Sequence, residues 1–134
     1  MFEVGSVWWL EVEYEDKSES KVRPAIIIDK TEDAIYFLVT TTTKSPSDRP
    51  SFHDKFKIPI MNWRKIPLAQ ASYALSRKLI KLSESDLKKT ITGNDYIGQM
   101  SIPDLQWLVT EIESRNQENF VFSRTATYIV ENKE

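Results

Sequence analysis

The sequence predicts a single α+β domain in which a curved, mostly antiparallel sheet or barrel packs against one longer helix. Its 134 residues are enough for one hydrophobic core and leave little room for a second domain. The first half holds β-branched and aromatic segments separated by turn residues, which is typical of short strands. The second half holds two helix-start signatures, one followed by helical apolar spacing. We expect residues 1–116 to form the domain and residues 117–134 to extend it, most simply as one more strand.

Three strands joined by short turns are predicted first. Residues 7–14 end in apolar positions alternating with Glu11 and Glu13, which is the period of a half-buried strand. Residues 24–28 read Pro-Ala-Ile-Ile-Ile, a run dense enough to be covered on both faces. Residues 35–42 are rich in aromatic and β-branched side chains. This order predicts an antiparallel meander, with a polar loop over residues 16–21.

The middle of the chain is predicted to contain a surface loop and two further strands. Residues 44–54 hold prolines and serines without apolar periodicity, which is typical of a loop. Residues 56–60 alternate, but Pro59 cannot donate to a sheet hydrogen bond, so this strand should lie at an edge or end there. Residues 72–82 form the next predicted strand.

Two helices are predicted after these strands. Ser83 has the character of an N-cap and begins a short helix that should run to about residue 92, before Gly93. Ser101 repeats the signature, with Pro103 tolerated in the first turn. The apolar residues that follow have the i, i+3, i+4, i+7 spacing of an amphipathic helix: Leu105, Leu108, Val109 and Ile112. The tail at residues 120–130 has strand composition.

The composition excludes several classes of site. Without cysteine there can be no disulfide, no Cys-ligated zinc and no Cys nucleophile. The single histidine, His53, lies in the polar loop, and a solvent-exposed side chain is the simpler interpretation. We therefore predict no metal and no cofactor. No apolar run approaches the roughly 18 residues that a membrane span needs, and no signal segment is evident, so we expect a cytoplasmic protein without membrane contact.

The charges are unevenly distributed. The whole chain has a net charge of -2, but residues 44–89 carry eleven basic and four acidic side chains. A basic segment of this kind is most often a solvated face, and it becomes a polyanion site only beside residues that read or cut the polyanion.

Three motifs in order supply such residues. Gly5-Ser-Val-Trp-Trp begins the first strand, Arg23-Pro24 precedes the aliphatic run, and Thr40-Thr41-Thr42-Thr43-Lys44 ends the third strand. In this order the chain resembles the MazF/PemK toxins of bacterial toxin–antitoxin systems, which are endoribonucleases, or mRNA interferases. The resemblance covers roughly residues 4–113. It departs from the family in the loop at residues 15–21, which lacks a glycine, and at the basic pair Arg77-Lys78.

The resemblance implies a fold, a reaction and its partners. The fold would be an SH3-like barrel of the CcdB/PemK type, and the protein a homodimer whose groove binds single-stranded RNA or a cognate antitoxin. The reaction would be metal-independent, sequence-selective cleavage that leaves 2′,3′-cyclic phosphate and 5′-OH ends. Arg23 would stabilise the phosphate, with proton donation as a second role that the resemblance leaves open. Thr41, or Thr42 if the alignment slips by one, would position or polarise the reacting hydroxyl.

Other residues are candidates for RNA binding. Adjacent strand residues face opposite sides, so one of Trp8 and Trp9 should be core, and Trp9 is the candidate for stacking on bases or for an interface. The candidate phosphate contacts are basic side chains of the middle segment: Lys44, Lys55, Lys57, Arg77 and Lys78. Alternatives stay open: Arg23 paired with a strand carboxylate, a non-catalytic binding module of the same fold, or a CcdB-type gyrase poison.

Overall fold

The computed structural model describes residues 2–13, 20–42 and 57–115, and these residues form one six-stranded antiparallel sheet with two α-helices. The strand order is β4-β5-β3-β2-β1-β6. The strands are β1 (Ser6–Glu13), β2 (Ser20–Lys30), β3 (Ile35–Thr41), β4 (Lys57–Pro59), β5 (Tyr73–Leu82) and β6 (Tyr96–Gln99). The helices are α1 (Glu84–Thr90) and α2 (Ile102–Arg115).

The predicted meander is confirmed, because β1 pairs with β2 and β2 pairs with β3, both antiparallel. The run Ala25–Ile28 is buried throughout, as its composition predicted. The prediction placed residues 20 and 21 in a loop, and this was wrong: β2 begins at Ser20, where its backbone pairs with Glu13 of β1. Cross-strand pairing extends the strand through polar residues that show no alternation of their own.

Edge strands lie at both sides of the sheet. β4 is one edge and ends at Pro59, as the missing amide hydrogen predicted. β6 is the other edge and was not predicted from sequence. It has four residues, one of them Gly98, and such a segment has too little periodicity to be recognised.

Both helices begin where their caps predicted. The Asp86 amide donates to Ser83 Oγ at 3.1 Å, and the Asp104 amide donates to Ser101 Oγ at 3.3 Å. Leu108 and Ile112 of α2 are fully buried, as the apolar spacing predicted. Helix α1 ends at Thr90, two residues before the predicted end, because buried Ile91 takes an extended conformation and Gly93 begins a separate 3-10 turn.

The sheet separates two hydrophobic cores. The α2-side core includes alternate residues of the central strands, the segment after β4 and helix α2; among its members are Val7, Ile26, Leu38, Leu68 and Leu108. The α1-side core includes the intervening residues and helix α1; among its members are Trp8, Ala25, Phe37, Val39 and Leu87. Side chains along a strand alternate between the two faces of the sheet. The core to which one strand residue belongs therefore shows on which face the residues next to it lie.

The sheet is curled but is not closed into a barrel. β4 and β6 do not pair with each other in the part of the chain described. The segment after β4 nevertheless reaches β6, since a Cβ on Gly98 would lie 1.5 Å from the carbonyl oxygen of Ile66. The prediction of a curved, antiparallel sheet with a packed helix is therefore confirmed, whereas the described residues do not form the closed barrel. The predicted loop at residues 44–54, most of the loop at residues 16–21 and the tail at residues 117–134 lie outside the described residues.

Candidate functional site

The candidate site is a row of side chains that crosses the central strands on the α1-side face. In β1 and β2, Trp8 pairs with Ala25 and Leu10 pairs with Arg23. In β2 and β3, Ala25 pairs with Val39. Arg23 and Thr41 each lie two residues beyond this pair, so both side chains are on its face of the sheet. Thr41 in turn pairs with Tyr73 of β5. We call Leu10, Arg23, Thr41 and Tyr73 the Arg23 row. It lies next to the apolar row of Trp8, Ala25 and Val39 on the same face.

Two hydrogen bonds made by side chains join β2 and β3 beyond the Ala25–Val39 pair. Arg23 Nη1 donates to the carbonyl oxygen of Thr40 at 3.3 Å. Thr40 Oγ1 donates to the carbonyl oxygen of Pro24 at 2.8 Å. Two residues far apart in the sequence are thus held together where the motifs Arg23-Pro24 and Thr40-Thr41 meet.

The threonines at this strand end have different environments. Thr40 is 2% exposed and lies on the α2-side face, because it pairs with Ala74 of the α2-side core. Its hydroxyl is used in the bond to Pro24. Thr41 is also buried, at 7% exposed, but lies on the face of Arg23, and Thr42 is exposed beyond the end of β3. Of the two threonines that the sequence left open, Thr41 is therefore the one on a strand face shared with Arg23.

Two further polar residues share this face. Tyr73 is half-buried and lies between Thr41 of β3 and Pro59 of β4. Lys57 is half-buried and pairs with Leu75, two positions along from Tyr73. Lys57 was a candidate from sequence, whereas Tyr73 was not. Only the register across β3 and β5 identifies Tyr73, and that register is not visible in a single sequence.

Trp9 lies on the opposite face from Arg23. Its neighbour Trp8 is 2% exposed and belongs to the α1-side core, which confirms that one tryptophan of the pair is core. Trp9 pairs with Pro24 and is 41% exposed, and Val22, on the same face, is 59% exposed. The structure thus separates the exposed indole from the row that contains Arg23.

The other candidate cations are only partly located. Arg77 and Lys78 are in β5, in the stretch where the register against β3 moves from Leu79 opposite Leu38 to Ala74 opposite Thr40. Their side chains are outside the described part of the structure, as are Lys44 and Lys55.

Three further findings concern metal binding, membrane spanning and similarity to known proteins. Within residues 2–13, 20–42 and 57–115, no group of three or more His, Asp or Glu side chains is placed to hold a metal ion. Neither described helix has the length and apolar character needed to cross a membrane. Comparison with known proteins finds no family model and no curated protein that matches this chain.

Proposed function

We propose that this chain is an endoribonuclease that cleaves single-stranded RNA sequence-selectively without a metal, and leaves 2′,3′-cyclic phosphate and 5′-OH ends. The proposal begins from the resemblance to the MazF/PemK toxins. The observation that carries it is the cross-strand row, in which Arg23 and Thr41 lie on one face although separate motifs supply them.

The two residues have complementary chemistry. A guanidinium matches two phosphate oxygens and stays charged, so Arg23 neutralises the negative charge that develops on the phosphoryl oxygens. The hydroxyl of Thr41 accepts and donates hydrogen bonds, which allows it to orient the 2′-OH that attacks the phosphate. Lys57 adds a positive charge on the same face, where an RNA backbone would pass.

The fold and partners implied by the resemblance belong to the same proposal. The curled sheet with its packed helix is an open form of the SH3-like barrel of the CcdB/PemK type. The protein is a cytoplasmic homodimer, and a cognate antitoxin controls it. The exposed apolar side chains of Trp9 and Val22 offer a surface of the kind that a protein partner covers.

The test is cleavage of a long single-stranded RNA in EDTA by the wild type and by Arg23→Ala. We expect the wild type to cut at discrete sites and the variant to lose at least about 10²-fold in rate, since removing one charge-stabilising group typically costs that much. Arg64→Ala is the matched control, because Arg64 is an exposed arginine stacked on Trp63 at 4.5 Å. Failure of the wild type to cut a varied RNA panel would refute the nuclease.

A second candidate function is a non-catalytic binding module of the same fold. The exposure of Trp9 and Val22 on one face favours it, because apolar side chains on a sheet face commonly mark a protein interface. Cleavage by the wild type separates the two functions, because a non-catalytic module would leave the whole RNA panel uncut. For such a module, Trp9→Ala should weaken the binding of its protein partner.

A further inference from the structure

The proposed cleavage needs an acid that Arg23 and Thr41 do not supply. When the P–O5′ bond breaks, the departing 5′-oxygen must gain a proton. A guanidinium is not deprotonated in proteins, so Arg23 serves as a charge and not as a proton donor. The aliphatic hydroxyl of Thr41 is a much weaker acid than a phenol, so it does not serve as the proton donor either.

Tyr73 is the phenol on the same face. It pairs directly with Thr41 across β3 and β5, and directly opposed side chains have Cβ atoms about 5 Å apart. Arg23 lies one strand further along the same row. The ring is half-buried, so its position is restricted while part of it faces solvent. Its neighbour on the other side is Pro59, which offers no side-chain group that could bind the phosphate.

We propose that Tyr73 is the general acid of the cleavage, an inference that rests on the proposed function. The 2′-oxygen forms a bond to phosphorus and its proton passes to solvent water. The P–O5′ bond breaks, its electron pair goes to the 5′-oxygen, and the Tyr73 hydroxyl proton is transferred to that oxygen. The phenolate then regains a proton from water. Arg23 holds the phosphate throughout, and Thr41 orients the attacking hydroxyl.

The experiment compares the wild type, Tyr73→Phe and Arg23→Ala on two versions of one oligonucleotide that contains a mapped cleavage site. The first version is ordinary RNA, and the second carries sulfur in place of the 5′-bridging oxygen. A thiolate leaves without protonation, so the sulfur version does not need the acid. Tyr73→Phe should cut the ordinary RNA about 10²-fold or more slowly and cut the sulfur version within a few-fold of the wild-type rate. Arg23→Ala should be slow on both.

The outcomes separate this inference from the function on which it rests. Near-wild-type cleavage of the sulfur version also shows that the variant is folded. If Tyr73→Phe equals the wild type on ordinary RNA, or is equally slow on both versions, Tyr73 is not the acid while the nuclease stands. If the wild type cuts neither version, the nuclease and the acid both fail. Tyr96→Phe is the matched control, because Tyr96 is an exposed tyrosine in β6, at the far edge of the sheet.

Discussion

Thr40 and Thr41 are neighbours in the chain, yet their side chains lie on opposite faces of the sheet and have different partners. Thr40 faces the α2-side core and bonds to the carbonyl oxygen of Pro24, whereas Thr41 faces the row that contains Arg23. A run of four threonines cannot reveal this division, because it depends on which residue is opposite Ala74 and which is opposite Tyr73. Arg23 and Thr41 were predicted from their motifs, but Tyr73 required the register.

The first prediction concerns the stability that Thr40 provides. Thr40→Val removes a buried hydroxyl and leaves the carbonyl oxygen of Pro24 without this donor, so the free energy of unfolding should fall by about 1–2 kcal/mol. Urea denaturation measures the change. Thr42→Val is the control, because Thr42 is exposed, and it should change the value by less than about 0.5 kcal/mol. Equal effects of the two substitutions would contradict the assignment.

The second prediction concerns the activity that Thr41 supports. Thr41→Val keeps the shape of the side chain and removes the hydroxyl, so RNA cleavage should slow by about 10²-fold when a positioning hydrogen bond is lost. Thr42→Val should leave cleavage near the wild-type rate. The opposite pattern, with Thr42→Val inactive and Thr41→Val active, would overturn the choice between the two residues.

At the scale of the elements, the boundaries set by local sequence signals were predicted, whereas those that depend on strand pairing were not. Both helix starts followed from serine caps, and the end of β4 followed from Pro59, because these signals act within a few residues. β6 was missed, and it exists through its pairing with β1 and not through its own composition. The start of β2 at Ser20 likewise depends on the partner strand.

The third prediction tests the cap of α1. Ser83→Ala removes the oxygen that accepts from the Asp86 amide, and this should lower the free energy of unfolding by about 1 kcal/mol. Ser85→Ala is the control, since it leaves that bond in place, and we expect a change below about 0.5 kcal/mol. Thermal unfolding followed by circular dichroism measures both variants. An unchanged free energy of unfolding in Ser83→Ala would contradict a stabilising role for this cap.

At the scale of the whole molecule, the two edges of the sheet are connected by the segment after β4. Asn62 donates to the Asp104 carboxylate at 2.7 and 2.9 Å, which fixes this segment to the start of α2. Ile66 then lies against Gly98 of β6. The sequence predicted a curved sheet with a packed helix. It could not reveal how the curl is held, because that contact joins residues with no shared local pattern.

The fourth prediction tests that contact. A Cβ at Gly98 would lie 1.5 Å from a backbone oxygen that cannot rotate away, so Gly98→Ala should destabilise the fold by at least about 2 kcal/mol through overpacking. Gly93→Ala is the matched control, because nothing lies within 4 Å of its added Cβ. Chemical denaturation compares the two variants. Similar stability for both would show that Ile66 does not approach Gly98 in solution.

The measurement that tests the central claim most directly uses an RNA in which the single nucleotide on the 5′ side of a mapped cleavage site is changed to its 2′-deoxy form. The wild-type protein, in EDTA, should cut the unmodified RNA to a 2′,3′-cyclic phosphate and a 5′-OH and should leave the modified site intact, because the attacking group is the 2′-OH. Cleavage at the deoxy position, or products with a 5′-phosphate, would contradict the account.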